Sequence, residues 1–367
     1  MSEKKQIVIQ EIQGRMPLLA PAIKEYLTAG FEASYALAVN AKNDGADMQV
    51  SRLYFDGGDA GEYIVRFSTD KAFLSYGERR IKHENKAKGV CLGTLLPNTT
   101  YYAQVLSADG NACSDIVKFQ TEDVIVRPLT LVDDEGKGPR NARDTGGYLV
   151  AGGGRMRYGY VYRGMFLNSC RNDQFNLTET SKRILRDELG VRSEIDLRRA
   201  GVDDYNIADA KKKPQTTNAL DDSLPYYKYT VAGYDVGIGD AESENNLREL
   251  FRVLADESNY PVYVHCNAGA DRTGTVIFFI HMLLGVSYEN ATREYELTSF
   301  SPQGRRTRDY VQQCDEYNTI MYGKMIERLM TYAKEGEDIQ TATKRYLLSI
   351  GVSEEELASI RQILVEE

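Results

Sequence analysis

The pattern of apolar and polar positions changes near residue 124. Before that point, short β-prone runs alternate with turn sequences, for example over residues 55–63. Apolar residues at alternate positions from Phe31 to Val39 also predict a strand. Several short strands separated by turns at this interval predict a β-sandwich. Residues 1–28 have a partly helical pattern.

After residue 124, strand-like and helical segments alternate, which is typical of an α/β domain with a largely parallel sheet and helices on both faces. Residues 261–264 form a short apolar strand, and the run that begins at Gly274 is apolar nearly all round, which predicts a buried helix. A chain of 367 residues is long for one domain. We therefore predict two domains, 1–124 and 125–367.

Composition narrows the classes of function. The net charge of −9 disfavours nonspecific binding to nucleic acid or to anionic membranes, and no apolar run is long enough to cross a bilayer. The five cysteines include no Cys-x-x-Cys pair and there are only three histidines, so neither a metal site nor a disulfide framework is expected. The first residues lack the apolar core of a signal peptide. We expect a cytoplasmic protein, or a secreted or cell-surface one if a signal peptide was removed.

The segment between the predicted strand and helix, residues 265–274, has the features of an anion-binding loop. Its sequence is His-Cys-Asn-Ala-Gly-Ala-Asp-Arg-Thr-Gly. A loop that enters a helix N-terminus directs backbone N–H groups and the positive end of the helix dipole to one point, and Gly269 permits a tight curl. Cys266 in such a site would have a lowered pKa and be a strong nucleophile. Arg272 offers a planar fork for two phosphate oxygens, and the Thr273 hydroxyl can donate to the thiolate.

These residues predict attack of the Cys266 sulfur on phosphorus, followed by hydrolysis of a cysteinyl phosphate by water, without a metal or other cofactor. A cysteine that only packs in the core is the alternative, and the neighbouring residue identities argue against it. Gly269 and Gly274 have the spacing of a nucleotide-binding Gly-x4-Gly-Lys-Ser/Thr loop. Thr275 occupies the position of its lysine, which excludes that motif.

The order His265, Cys266, five residues, Arg272 and Thr273 resembles the signature of the Cys-dependent protein tyrosine phosphatases. The resemblance implies that Cys266 is the nucleophile and that Arg272 binds phosphate and stabilises the transition state. It also implies that His265 orients the loop. The implied anion nest consists of the backbone amides of Asn267, Ala268, Gly269, Ala270, Asp271 and Arg272.

Blocks upstream of the loop resemble a bacterial subfamily of tyrosine and dual-specificity phosphatases that also has lipid-active members. They are Asn-Ala-Arg-Asp-Thr-Gly-Gly-Tyr at 141–148, Tyr-Arg-Gly at 162–164 and Ile-Asp-Leu-Arg at 195–198. We expect them to be mainly architectural, with Arg163 and Arg198 supporting the active-site loops. That subfamily often has a lysine where this chain has Ala270. A basic residue there is associated with inositol-phosphate head groups, so its absence weakens a phosphoinositide assignment.

Two aspartates compete for the role of the general acid, which protonates the leaving oxygen. Asp271 lies inside the loop, and its subfamily counterpart has been assigned this role. Asp235 lies 31 residues before Cys266 in a Gly-rich segment, near the spacing of the mobile-loop aspartate in the broader superfamily. Asp240 is a third, less favoured candidate. The sequence leaves Asp271 and Asp235 open.

Residues 1–124 resemble a fibronectin type III domain, an Ig-like all-β sandwich, with Tyr101 as its tyrosine-corner residue. We expect this domain to be a scaffold or a protein-binding module. The expected substrate of the second domain is phosphotyrosine in a protein or peptide. The alternatives are a phosphoinositide or dual-specificity phosphatase, and an adaptor that binds phosphate without turnover.

Overall fold

The computed structural model describes residues 6–42, 48, 50–168, 173–199, 215–310 and 321–367. The N-terminal part contains two α-helices, eight short strands and a 3-10 helix within these ranges. These elements are β1 (Val8–Ile9), α1 (Pro21–Thr28), α2 (Phe31–Val39), β2 (Arg52–Leu53), β3 (Phe55–Asp56), β4 (Glu62–Ser68), β5 (Gly77–Lys82), the 3-10 helix His83–Lys88, β6 (Val90–Cys91), β7 (Thr100–Ser107) and β8 (Val117–Gln120).

The largest N-terminal sheet is antiparallel, with strand order β5-β4-β7-β8. Alternate residues of β4, including Tyr63 and Val65, are buried, as expected for a strand with one face on a core. The Tyr101 hydroxyl accepts a hydrogen bond from the Leu96 backbone N–H at 3.0 Å, which is the contact of a tyrosine corner. The region is therefore rich in β-sheet, while the fibronectin-type sandwich stays a prediction.

The strand predicted from Phe31 to Val39 is wrong, because these residues form α2. Alanine, the best helix former, occurs three times in this segment. Glu32 lies in the first turn, where a carboxylate interacts favourably with the helix dipole. Ser34 and Ala38, four residues apart on one helical face, are buried. Apolar residues are so frequent here that the segment fits the two-residue period of a strand as well as the roughly 3.6-residue period of a helix.

The C-terminal part contains the remaining strands and helices. The strands are β9 (Arg127–Pro128), β10 (Arg143–Asp144), β11 (Arg155–Met156), β12 (Val161–Gly164), β13 (Ser193–Asp196), β14 (Tyr226–Lys228), β15 (Val262–His265) and β16 (Val365–Glu366). The α-helices are α3 (Glu179–Arg183, continued by a π-helical turn, Ile184–Glu188), α4 (Ala241–Leu254), α5 (Asp271–Leu284), α6 (Tyr288–Glu296), α7 (Met321–Met330), α8 (Ile339–Ser349) and α9 (Glu354–Leu364). The 3-10 helices are Asp173–Phe175, Tyr234–Gly237, Glu257–Asn259 and Leu297–Phe300.

The main C-terminal sheet has the order β14-β13-β15-β12-β10-β9, in which β14, β13, β15 and β12 are parallel. Val262 and Val264 of β15 belong to the same buried cluster as Phe251 of α4, whereas Tyr263 belongs to a second cluster with Leu185. Successive residues of a strand point to opposite faces, so both faces of the sheet are covered by helical segments. The predicted α/β domain with a largely parallel sheet is confirmed. None of the helices in the described ranges combines the length and apolar character needed to cross a bilayer.

The register of the parallel strands brings three chain segments together at one edge of the sheet. Gly164 and Asp196, the last residues of β12 and β13, both pair with His265, the last residue of β15. Ligands of open α/β sheets bind beyond the carboxyl ends of the strands. The loop that follows His265 therefore begins at the edge where a binding site is expected.

Candidate active site

The loop between β15 and α5 is held by hydrogen bonds to its carbonyl groups. The Asn141 side-chain amide donates to the carbonyl oxygens of Ala268 at 3.0 Å and Gly269 at 3.3 Å. Arg163 donates to the carbonyl oxygens of Gly269 at 2.6 Å and Ala270 at 3.2 Å. Because these carbonyls are directed at the scaffold, the N–H groups of the same peptides face the other way. That arrangement of successive N–H groups suits an anion nest.

Gly269 is the one loop position where the backbone requires glycine. Its φ is +63°, in the left-handed region. A Cβ at this position would lie 2.1 Å from the carbonyl carbon and oxygen of Gly164. The loop thus packs directly on the end of β12, and any side chain here would force the two backbones apart.

Two arginines and one glutamate form a buried charged cluster behind the loop. Glu294 of α6 accepts hydrogen bonds from Arg143 Nε at 2.6 Å and from Arg163 Nη1 at 2.5 Å. Burial raises the pKa of Glu294, but the two guanidinium groups outweigh it and lower this pKa to about 2. Burial and the charge of Arg143 lower the pKa of Arg163 to about 10. The cluster thus combines two guanidinium groups with one carboxylate.

Cys266 is the first loop residue and is 1% exposed. Burial raises its pKa and so does the charge of Asp271, but the Arg272 guanidinium and hydrogen bonds from Thr273 outweigh both. The pKa of Cys266 therefore lies below its usual range, which favours the thiolate. Thr273 is itself fully buried beside the sulfur.

His265 and Arg198 are fully buried and fix the ends of the central strands. His265 Nε2 lies 2.9 Å from Glu194 Oε1, and its Nδ1 lies 3.3 Å from the carbonyl oxygen of Cys266. Arg198 donates to both carboxylate oxygens of Asp196, at 2.9 Å and 2.8 Å. Asp196 in turn lies beside His265, with 3.8 Å between its Oδ1 and Nδ1. Both residues support the loop from within the sheet.

Asp271 is engaged by two side chains from other segments. Arg306 donates to its Oδ1 at 2.5 Å and to its Oδ2 at 3.0 Å. The Tyr234 hydroxyl also donates to Oδ1, at 2.5 Å. Both carboxylate oxygens of Asp271 therefore accept hydrogen bonds in this structure. Neither Arg306 nor Tyr234 was identified from the sequence.

Asp235 lies in a segment that packs on the loop. A Cβ on Gly233 would be 3.4 Å from the Arg272 backbone nitrogen, and the Tyr234 N–H donates to Thr275 Oγ1 at 2.8 Å. Asp235 Oδ1 is buried and has no hydrogen-bond partner among the described residues. Buried polar atoms without a partner are rare, and a catalytic role is one of the explanations for them. Asp235 therefore has a buried carboxyl oxygen free of hydrogen bonds within the described residues, in a segment whose neighbouring residues contact α5.

Two other residues singled out from the sequence have packing or capping positions. Ala270 is fully buried, so no basic side chain enters the cleft at this position. Asp240 accepts a hydrogen bond from the Ser243 backbone at 2.9 Å and caps the N-terminus of α4. Asp240 thus has an ordinary structural role.

Comparison with known proteins places the chain among phosphatases. The sequence model of the tyrosine phosphatase family matches residues 135–366, which is more than half of the chain. The putative tyrosine-protein phosphatase OCA1 of Debaryomyces hansenii is 35% identical over 66 residues, which cover 18% of this chain and 34% of that protein. A tyrosine-protein phosphatase of Nostoc commune is 23% identical over 209 residues, which cover 47% of this chain and 66% of that protein.

Among solved structures, the core catalytic domain of the PP-IP phosphatase SIW14 from S. cerevisiae, in complex with citrate, is similar to part of the chain. It is 22% identical, with a TM-score of 0.28, and the match covers 39% of this chain and 72% of that chain. The matched segment spans about a third of the length of the OCA1 proteins.

Proposed function

Since this chain belongs to the tyrosine phosphatase family, a family of phosphatase hydrolases, we propose that it hydrolyses phosphate monoesters through a cysteinyl-phosphate intermediate. The observation that carries the proposal is the state of Cys266. The thiol is buried at the start of a loop whose carbonyls are turned away, and its pKa is lowered although burial opposes this. Such a thiolate beside Arg272 suits attack on a phosphate dianion.

In the first step, the Cys266 thiolate attacks phosphorus. An S–P bond forms while the bond from phosphorus to the leaving oxygen breaks, and a general acid gives that oxygen a proton. Arg272 and the loop N–H groups stabilise the charge on the phosphoryl oxygens in the transition state. In the second step, water attacks phosphorus and loses a proton to the same carboxylate. The S–P bond breaks, and the Thr273 hydroxyl stabilises the departing thiolate.

We assign the general acid to Asp235 in preference to Asp271. Asp271 already accepts the Arg306 fork and the Tyr234 hydroxyl, so it is suited to positioning the end of the loop. Asp235 has a buried oxygen without a partner among the described residues, in a segment packed on Arg272. Glycines on both sides of this segment would allow it to move over a bound substrate.

We propose protein phosphotyrosine as the substrate. An inositol polyphosphate has further phosphate groups beside the reacting one, and these are best bound by cations of their own. Here position 270 is a buried alanine, and the charge of Arg306 is paired with Asp271. The loop therefore provides cationic and N–H contacts for one reacting phosphate, without additional cations from position 270 or Arg306 for a second phosphate. Dual-specificity or phosphoinositide hydrolysis, and phosphate binding without turnover, remain the alternatives to be tested.

We propose that residues 1–124 form a scaffold for the catalytic domain, 125–367. The Tyr26 hydroxyl of α1 donates to Glu296 of α6 at 2.8 Å. Arg293 of α6 donates to the Tyr26 and Leu27 carbonyl oxygens, both at 2.9 Å. These buried contacts tie the N-terminal helices to the catalytic domain and support a packing role.

A substrate panel in the presence of a chelator tests the proposal. Phosphotyrosine peptides, phosphoserine and phosphothreonine peptides, and inositol phosphates are compared for kcat/KM with the wild-type chain and with Cys266→Ser. We expect phosphotyrosine peptides to be preferred, and Cys266→Ser to bind phosphate without turnover. Preference for inositol phosphates would refute the substrate assignment. Turnover by Cys266→Ser would refute the mechanism.

A further inference from the structure

A cavity of about 720 Å³ lies between the N-terminal strands and the segment of α3, and none of residues 265–274 lines it. Nine lysine and arginine side chains and six aspartate and glutamate side chains surround it. The whole chain has the opposite balance, with 45 basic and 54 acidic residues. Its volume is in the range of roughly 300–1,000 Å³ that is typical of small-molecule sites. The lining therefore has more basic than acidic side chains, and four of its cations, Arg79, Arg80, Lys82 and Arg186, are in ion pairs.

Arg183, at the end of α3, is a half-buried cation on the wall of this cavity. Its guanidinium donates to the Glu78 carbonyl oxygen at 2.5 Å, and no carboxylate in the described part of the chain lies within ion-pair distance. Glu188, whose charge acts on Arg183, is bound by Arg79 at 2.7 Å and 3.2 Å. Burial and the charge of Arg79 lower the pKa of Arg183 and outweigh the charges of Glu188 and Glu78, which raise it. Arg183 is therefore a partly desolvated cation with no direct ion pair among the described residues, and an anion in the cavity could supply one.

The cations of the cavity come from two facing parts of the chain. Lys182 adjoins Arg183 on α3, while Arg52 and Lys88 come from the N-terminal strands and the 3-10 helix. An arginine grips a phosphate through a planar fork, and lysines add point charges. Contacts from opposite walls suit a ligand with charge at more than one point.

We propose that this cavity binds a small ligand with at least two phosphate groups, with Arg183 as the central contact. The site is separate from the catalytic loop and does not depend on the proposed hydrolysis. A ligand bound here would touch both the N-terminal strands and the catalytic domain.

The test is calorimetric titration of the full chain with inorganic pyrophosphate. Arg272→Met is used as the background, so that the catalytic loop does not retain its main phosphate contact. We expect one pyrophosphate to bind per chain, and inorganic phosphate to bind at least about tenfold more weakly because it fills one half of the site. Absence of pyrophosphate binding in this background would overturn the proposal.

Matched variants locate the site. In the same background, Lys182→Gln with Arg183→Gln is expected to weaken pyrophosphate binding by about tenfold or more, since it removes charge-assisted contacts. Lys344→Gln, an exposed lysine of α8 outside the cavity, is the control and should bind like its parent. Lys88→Gln on the opposite wall tests the site without altering Arg183, and should weaken binding by about two- to fivefold. Equal affinity in Lys88→Gln, the double variant and the control would contradict the assignment.

Discussion

Glu294→Gln tests the support of the catalytic loop, because it removes one charge and keeps the side-chain size. In the native protein, Glu294 is bonded to two buried arginines, Arg143 and Arg163. The substitution leaves both guanidinium groups buried without their counter-charge. Arg163 donates to the Gly269 and Ala270 carbonyls, the former shared with Asn141, so both stability and catalysis should change.

The pKa of Glu294 gives the size of the effect. Lowering this pKa from 4.5 to about 2 corresponds to about 3 kcal/mol of stabilisation at neutral pH. Breaking a buried ion pair by removing one partner typically costs about 3–5 kcal/mol, in agreement with the value obtained from the pKa of Glu294. Because the folded-state pKa is below the unfolded-state pKa, this contribution is complete above about pH 5 and is lost as the pH falls toward about 2.

Urea unfolding at pH 7 and steady-state kinetics with an aryl phosphate measure the two effects. The control is Glu289→Gln, in which an acid that is 49% exposed and pairs with Arg293 loses its charge. We expect a loss of about 3 kcal/mol or more for Glu294→Gln and less than about 1 kcal/mol for the control. At temperatures where both variants are folded, kcat should fall at least about tenfold in Glu294→Gln only. Equal stability of the two variants, or unchanged kcat in Glu294→Gln, would refute the reasoning.

Three further substitutions separate the roles of the site residues. Asp235→Asn should lower kcat by about 10²-fold or more for substrates with poor leaving groups and remove the dependence of kcat on a protonated acid. Asp271→Asn should keep that dependence. A pH–rate profile that shows the reverse would exchange the two assignments. Arg272→Lys should lose most of kcat/KM, since a point charge cannot replace the planar fork, and near-normal kinetics would argue against bidentate binding. Gly269→Ala should abolish phosphate binding or folding, as measured by calorimetry and thermal unfolding, because its Cβ would collide with the backbone; a stable, active variant would contradict the loop geometry.

The loop could be predicted because its chemistry is local. Cys266, Arg272 and Thr273 lie within eight consecutive positions, and a strand on one side and a helix on the other can be identified from periodicity. The support of the loop could not be predicted in the same way. Glu294 and its partner Arg163 are 131 positions apart, and only the fold brings them together.

The aspartates illustrate the same limit. The position of Asp271 inside the loop suggested a catalytic acid, and the sequence held no sign that Arg306, 35 residues away, would bind both of its oxygens. A similar limit applies to α2, where frequent apolar residues fit a strand and a helix equally well. In the structure the segment is a helix that buries Ser34 and Ala38 on one face, and this burial cannot be deduced from the sequence pattern.

Rapid-quench mass spectrometry tests the covalent step most directly. The wild-type chain and Asp235→Asn are mixed with an aryl phosphate, quenched in acid within the first turnover and digested. The account predicts phosphate on the sulfur of Cys266, formed in a burst with the aryl leaving group and absent from Cys266→Ser. Steady turnover with no phosphate on Cys266, or with phosphate on another residue, would contradict it.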